Sequence, residues 1–136
     1  MIARYATAMS AAALALGLLA GPSQAAAPGD PYKKVSDLVK IPEFLPGMGT
    51  LYVDPATLPA GPFLAYDHDN NLVSTIYMVP LADLQAQKEF DGLKTSGEKV
   101  DHVDLYYNAG HPGVEAPHYH IVLWHVSEAD EARVAK

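Results

Sequence analysis

Asp101-His-Val-Asp-Leu-Tyr-Tyr107 and His118-Tyr-His-Ile-Val-Leu-Trp-His-Val126 are the two stretches whose reading decides the fold. Both carry β-branched and aromatic residues, and Asn108-Ala-Gly-His-Pro-Gly113 between them has the composition of a turn. Read as strands, they put alternate side chains on one face. His102 then shares a face with Asp104, and His118 shares one with His120. Five of the six histidines (His102, His111, His118, His120 and His125) fall in this region, with Asp104 and Glu115 among them. That crowding requires a chemical explanation.

Working outward, three further strands precede this pair. Gly49-Thr-Leu-Tyr-Val53 and Pro62-Phe-Leu-Ala-Tyr66 are separated by Asp54-Pro55 and Pro59-Ala-Gly-Pro62, and Leu72 to Val79 forms the third. The polar link Asp67-His-Asp-Asn-Asn71 suits a hairpin turn, because Asn and Asp tolerate left-handed backbone angles. Its Asp67-x-Asp69-x-Asn71 spacing resembles a calcium loop but lacks the later glycine and bidentate glutamate. Pro80 suits a first helical turn, and Leu81, Leu84, Phe90 and Leu93 mark an apolar stripe, so a packing helix is predicted up to about Gly92. Tyr32 to Val39 reads as a short helix, and Ser127-Glu-Ala-Asp130 as a capping box opening a C-terminal one. The order β-β-β-α-β-β-α predicts an α+β fold on an antiparallel sheet or small open barrel with packing helices.

The N-terminus carries a different signal. Arg4 precedes the apolar run Met9-Ser-Ala-Ala-Ala-Leu-Ala-Leu-Gly-Leu-Leu-Ala20, and small residues at Ser23, Ala25 and Ala27 follow. This reads as a secretory signal peptide over residues 1–25, with an uncleaved anchor as the alternative. The run is shorter than the ~20 apolar residues of a transmembrane helix. Residues 26–40 then form an N-terminal arm and 41–136 a single α+β domain, giving a periplasmic or secreted chain with no stable membrane anchor after cleavage. Loss of Arg4 with the leader moves the formal charge from −7 to −8, which argues against nucleic acid as a partner. The absence of cysteine excludes disulfides, thiolate metal sites and thiol catalysis. No phosphate-cradling glycine loop or nucleophile elbow is present; Gly47, Gly49 and Gly61 sit among prolines as turn residues do.

Imidazole nitrogen and carboxylate oxygen together suit Zn²⁺, Cu²⁺, Ni²⁺ or Fe²⁺. His102, Asp104, His118 and His120 are the candidate ligands, with His111 in the connecting loop nearby. His102-Val-Asp104 also forms the H-x-D half of a two-histidine, one-carboxylate triad, which His118 or His120 would complete. The competing readings are a structural pairing of His102 with Asp104, and metal-free acid–base chemistry using His102 with Tyr106 as donor. His125 falls on the opposite face and reads as structural, and His68 as a solvated turn residue. Tyr106 and Trp124 read as core or subunit packing.

Ile41-Pro-Glu-Phe-Leu-Pro-Gly-Met-Gly49, Tyr52-Val-Asp-Pro55, Gly61-Pro62, Tyr77-Met-Val-Pro80, Asp101-His-Val-Asp104, Gly110-His-Pro-Gly113 and Pro117-His-Tyr119 together carry a family resemblance. The chain resembles a group of uncharacterised exported bacterial domains. The group is typified by a thermophile protein controlled by an extracytoplasmic sigma factor and its anti-sigma factor. The resemblance spans about Ile41 to Val126 and implies an α+β domain, an envelope location and a homo-oligomer. It brings no activity with it. The group's His-x-Asp-x-His pattern corresponds here to His118-Tyr-His120-Ile-Val122, so a shared ligand set is not carried over whole. Two readings stay open: a divalent-metal-binding periplasmic domain, or a non-enzymatic envelope or stress-response homo-oligomer with structural histidines.

Overall fold

The computed structural model describes residues 26–136, so the signal-peptide reading of 1–25 lies outside the described residues. In chain order the elements are β1 (Lys33–Lys34), α1 (Val35–Leu38), β2 (Phe44–Leu45), β3 (Gly49–Val53), β4 (Phe63–Tyr66), β5 (Leu72–Pro80), α2 (Leu81–Gln85), β6 (His102–Asn108) and β7 (His118–Trp124). Two short 3₁₀ turns, Pro55–Thr57 and Ala129–Val134, complete the set. All seven strands join one open antiparallel sheet in the order β1-β3-β4-β5-β7-β6, with β2 also paired to β3.

The sheet is arranged around β5, whose residues Val73 to Val79 are all buried. One face presents Leu51, Val53, Phe63, Ile76, Met78 and Val122 to a core closed by Val35 of α1 and Val134 of the C-terminal 3₁₀ turn. On the other face, Tyr77 donates its hydroxyl to the Lys94 carbonyl, so the segment after α2 lies over β5. His125 is satisfied on this second face. Its Nδ1 donates to the Lys99 carbonyl at 2.9 Å, and its Nε2 lies 2.8 Å from the Thr75 hydroxyl. Asp67 folds the β4–β5 link by accepting the N–H groups of Asp69 and Asn71 at 2.9 and 2.8 Å, with Asn70 at φ 59°. The carboxylate that resembled a calcium ligand is thus occupied by its own turn.

Some expectations need correction. The helix predicted to run to Gly92 is only the five residues of α2. Gln87 turns left-handed at φ 57° after Ala86, and Leu84 and Leu93 stay exposed, so no apolar stripe is packed. The C-terminal helix is a 3₁₀ turn, although Ser127 Oγ does accept the Asp130 N–H at 3.2 Å as a cap would. Lys33 and Lys34 pair with β3 and Val35 enters the core, so the end of the 26–40 stretch is tied into the sheet. His68 is an exposed turn residue, as expected, and also stacks on Phe44 at 3.7 Å and donates Nε2–H to the Lys136 backbone oxygen at 2.8 Å. Among the described residues no helix is long and apolar enough to cross a membrane.

Candidate metal centre

The register between β6 and β7 decides which histidines meet. His118 lies opposite Asn108, His120 opposite Tyr106, and His102 opposite Trp124, at the far end of the pair. The four-residue offset between His102 and Tyr106 amounts to ~13 Å along a strand, so shared face does not mean shared site. The expected convergence of His102 and Asp104 with His118 and His120, and the facial triad built on it, is therefore not formed. Two separate clusters replace it: His111, His118 and His120 at one end, and His102, Asp104 and Glu131 at the other.

His118 and His120 project from alternate positions of β7 and are fully buried. The loop after β6 brings in His111 through a backbone bridge between His111 and Val114. Gly110 permits this approach: its φ is 127°, and a Cβ there would collide with the Glu115 carbonyl oxygen. Glu115 itself remains exposed in the loop. His118 Nε2 lies 2.9 Å from His120 Nε2 and 3.1 Å from His111 Nε2.

The opposite ring nitrogens are each held by oxygen. His118 Nδ1 donates to the Ala116 carbonyl at 2.7 Å, and His111 Nδ1 to the Pro112 carbonyl at 3.1 Å. His120 Nδ1 lies 3.0 Å from the Tyr106 hydroxyl. Because a carbonyl only accepts, these contacts place the proton of a neutral His118 or His111 ring on Nδ1 and leave a lone pair on its Nε2. Those two lone pairs face each other. Tyr106 O–H can donate to His120 and free a His120 Nε2–H for His118, but the gap to His111 still has no proton. Burial, followed by neighbouring His118 and His111, lowers the His120 pKa to about 4, so this ring is neutral at pH 7.

A cation held between the three nitrogens would resolve this arrangement. At metal–nitrogen lengths of about 2.0–2.1 Å, two ligands of a tetrahedron sit about 3.3–3.4 Å apart, so His118 needs to open from His111 and from His120 by only a few tenths of an ångström. Outer nitrogens bound to carbonyl or hydroxyl oxygen are what orients histidine ligands in metal sites. The three residues fit such an ion and leave a fourth position open.

The other cluster has the opposite character. His102 Nδ1 is 2.8 Å from Asp101 Oδ1 and its Nε2 is 2.6 Å from Glu131 Oε1. Both nitrogens donate to carboxylates, which raises the pKa through Asp101 first and Glu131 second and favours the imidazolium. A ring protonated on both nitrogens is not a ligand. Asp104 accepts the Trp124 indole N–H at 2.8 Å, so Trp124 is held by a hydrogen bond as well as by packing. Three participants were not assigned these roles from sequence: Tyr106 as the His120 partner, and Asp101 and Glu131 as the His102 partners. The Tyr106 contact follows from the register, which only a nine-residue link between the strands would have hinted at.

No family model matches the chain, and no curated protein does. Among solved structures, it is similar to the crystal structure of a hypothetical protein from Thermus thermophilus, at 46% sequence identity and a TM-score of 0.62. The match covers 70% of this chain and 87% of the Thermus chain. Identity at that level over most of the other protein's length goes beyond a shared fold, and the chain belongs to the same family as that Thermus protein.

Proposed function

We propose that this chain is an exported, divalent-transition-metal-binding protein whose ligands are His111, His118 and His120. The observation that carries the reading is the convergence of three imidazole nitrogens, His118 Nε2 lying 3.1 Å from His111 Nε2 and 2.9 Å from that of buried His120, while carbonyl oxygens take the Nδ1 side of His111 and His118. Facing lone pairs repel, and a cation between them converts that repulsion into coordination. Neutral imidazoles without thiolate or carboxylate suit Zn²⁺, Cu²⁺, Ni²⁺ or Fe²⁺ rather than Ca²⁺ or Mg²⁺. Export rests on the leader-like sequence up to Ala27, and the acidic chain favours cation approach.

The test is elemental analysis of untagged protein from its own host, beside the His118→Ala/His120→Ala variant. Near-stoichiometric metal in the native chain that disappears from a folded variant supports the reading. A native chain that is metal-free and takes up none of the four ions overturns it.

A second reading, homo-oligomer formation, is favoured by a different observation. β6 is a sheet edge, and Val103, Leu105 and Tyr107 on its outer face are 55%, 65% and 52% exposed. Ile121 and Leu123 of β7 lie beside them in register and extend the apolar surface. Exposed apolar edge strands invite pairing with another chain, and the outer face of this one carries no charged residue, Asp104 lying on the other face. Sedimentation of the native chain and of Leu105→Lys tests this: a larger assembly that becomes smaller in the variant supports it, and a native monomer rules it out.

A further inference from the structure

We infer that the fourth position of the proposed metal takes the carboxylate of a medium-chain alkyl acid, whose chain occupies the apolar cavity beside His111 and His120. The inference rests on the metal reading above and extends it to a ligand class.

A cavity of about 450 Å³ lies between α1 with its following loop and the core face of the sheet, within the ~300–1,000 Å³ of small-molecule sites. Its walls are aliphatic for most of their extent, with Val39, Ile41 and Leu45 on one side and Val53, Ile76 and Met78 on the other. His111, His120, Tyr106 and Asn108 are the polar residues of the lining at the β6–β7 end, and Lys40 supplies a separate cation. His118 is fully buried and does not line the space, so two of the three proposed ligands front the cavity and the third backs them. A ligand in the cavity therefore lies against two of the three residues and can reach an ion held between them.

Charge then selects the head group. Three neutral imidazoles leave a divalent ion with its full charge, and no Asp or Glu lines the cavity to offset it. A cation facing low-dielectric walls is costly unless an anion accompanies it. Carboxylate oxygen is an ordinary ligand for such ions. When His120 donates Nδ1–H to Tyr106, the tyrosine keeps its own O–H proton for an anion in the cavity. The walls then select the body of the ligand, since they can repay burial of an alkyl chain and offer it few hydrogen bonds.

The test is calorimetric titration of the zinc-loaded full chain with acetate, hexanoate, octanoate and decanoate, with zinc content measured on the same samples. Affinity is expected to rise about fourfold per methylene, which corresponds to ~0.8 kcal/mol, and to vanish when EDTA removes the metal. Lys40→Met should keep both the zinc requirement and the rise of affinity with chain length. Zinc-loaded protein that binds no longer acid better than acetate overturns the ligand inference and spares the metal reading. Equal affinity with and without zinc, or loss of either feature in Lys40→Met, assigns the head group to the wrong place and also overturns it. A chain that takes up none of Zn²⁺, Cu²⁺, Ni²⁺ or Fe²⁺ removes the metal reading and this inference together.

Discussion

The two ends of the β6–β7 pair hold histidines in opposite chemical states. At one end His102 is partly exposed and gripped by two carboxylates, which favour its charged form. At the other, His111, His118 and His120 face one another without a carboxylate, and burial keeps His120 neutral. Counting histidines and acids treats both as metal sites. What separates them is where each ring's two nitrogens point: His102 spends both on acids, whereas the other three spend Nδ1 on neutral oxygens and keep Nε2 for a common centre.

The largest effect that can break this comparison is metal-dependent stabilisation. Zn²⁺ at a thousandfold over its Kd would add about 4 kcal/mol to the native state, or a rise in Tm on the order of 10–20 °C for a domain of this size. Differential scanning calorimetry should show that rise in the native chain and in His102→Ala, but not in His118→Ala. An unchanged rise in His118→Ala would place the ion elsewhere, and its loss in His102→Ala would mean that the two ends act as one site.

Next in size is the loop that delivers His111. Gly110→Ala puts a side chain at φ 127° and against the Glu115 carbonyl. Strain of this kind costs about 1–3 kcal/mol, equivalent to about 5–150-fold in metal affinity if it falls wholly on the bound state. Zinc titration against a competing chelator should show the weakening. Wild-type affinity in the variant would mean that the strain is shared by the free and bound states, whereas wild-type affinity in His111→Ala would exclude His111 as a ligand.

Alternation along the strands was enough to place His118 with His120 and to send His125 to the other face, where Thr75 and the Lys99 carbonyl hold it. It says nothing about register, which is fixed by the loop between the strands and by the packing of β7 against β5. Hence His102 and Asp104 were grouped with partners that lie at the other end of the pair. The two-residue strands β1 and β2 are too short to carry a period at all. The stripe Leu81, Leu84, Phe90, Leu93 resembled a helix because spacing is local, while the chain turns left-handed at Gln87 and leaves Leu84 and Leu93 exposed.

The clusters should also impose opposite pH dependences on the metal-free chain. His120 has a native pKa of about 4 against about 6.5 when unfolded, so between those values the unfolded state binds more protons. Its contribution to stability is present above pH 6.5 and is lost as the pH falls toward 4. His102 is raised above 6.5, so its contribution is complete below that pH and is lost as the pH rises through the native value. Histidine NMR on metal-free protein separates the two: one resonance should titrate above 6.5 while another stays neutral down to about 4. A His120 that titrates near 6.5 would mean the buried triad opens readily to water.

The smallest effect is confined to the charged end. Glu131 reaches His102 from the C-terminal 3₁₀ turn, and Glu131→Gln keeps an oxygen acceptor while removing the charge. The His102 titration should shift back toward 6.5 but remain above it, because Asp101 is the larger cause of the rise and is untouched. Zinc uptake should not change, since the ring at this end has no free lone pair to offer and lies four residues along β6 from Tyr106. If uptake fell together with the titration shift, the charge at one end of the strand pair would be setting ligand geometry at the other. Their separation by register would then be a separation in distance but not in energy.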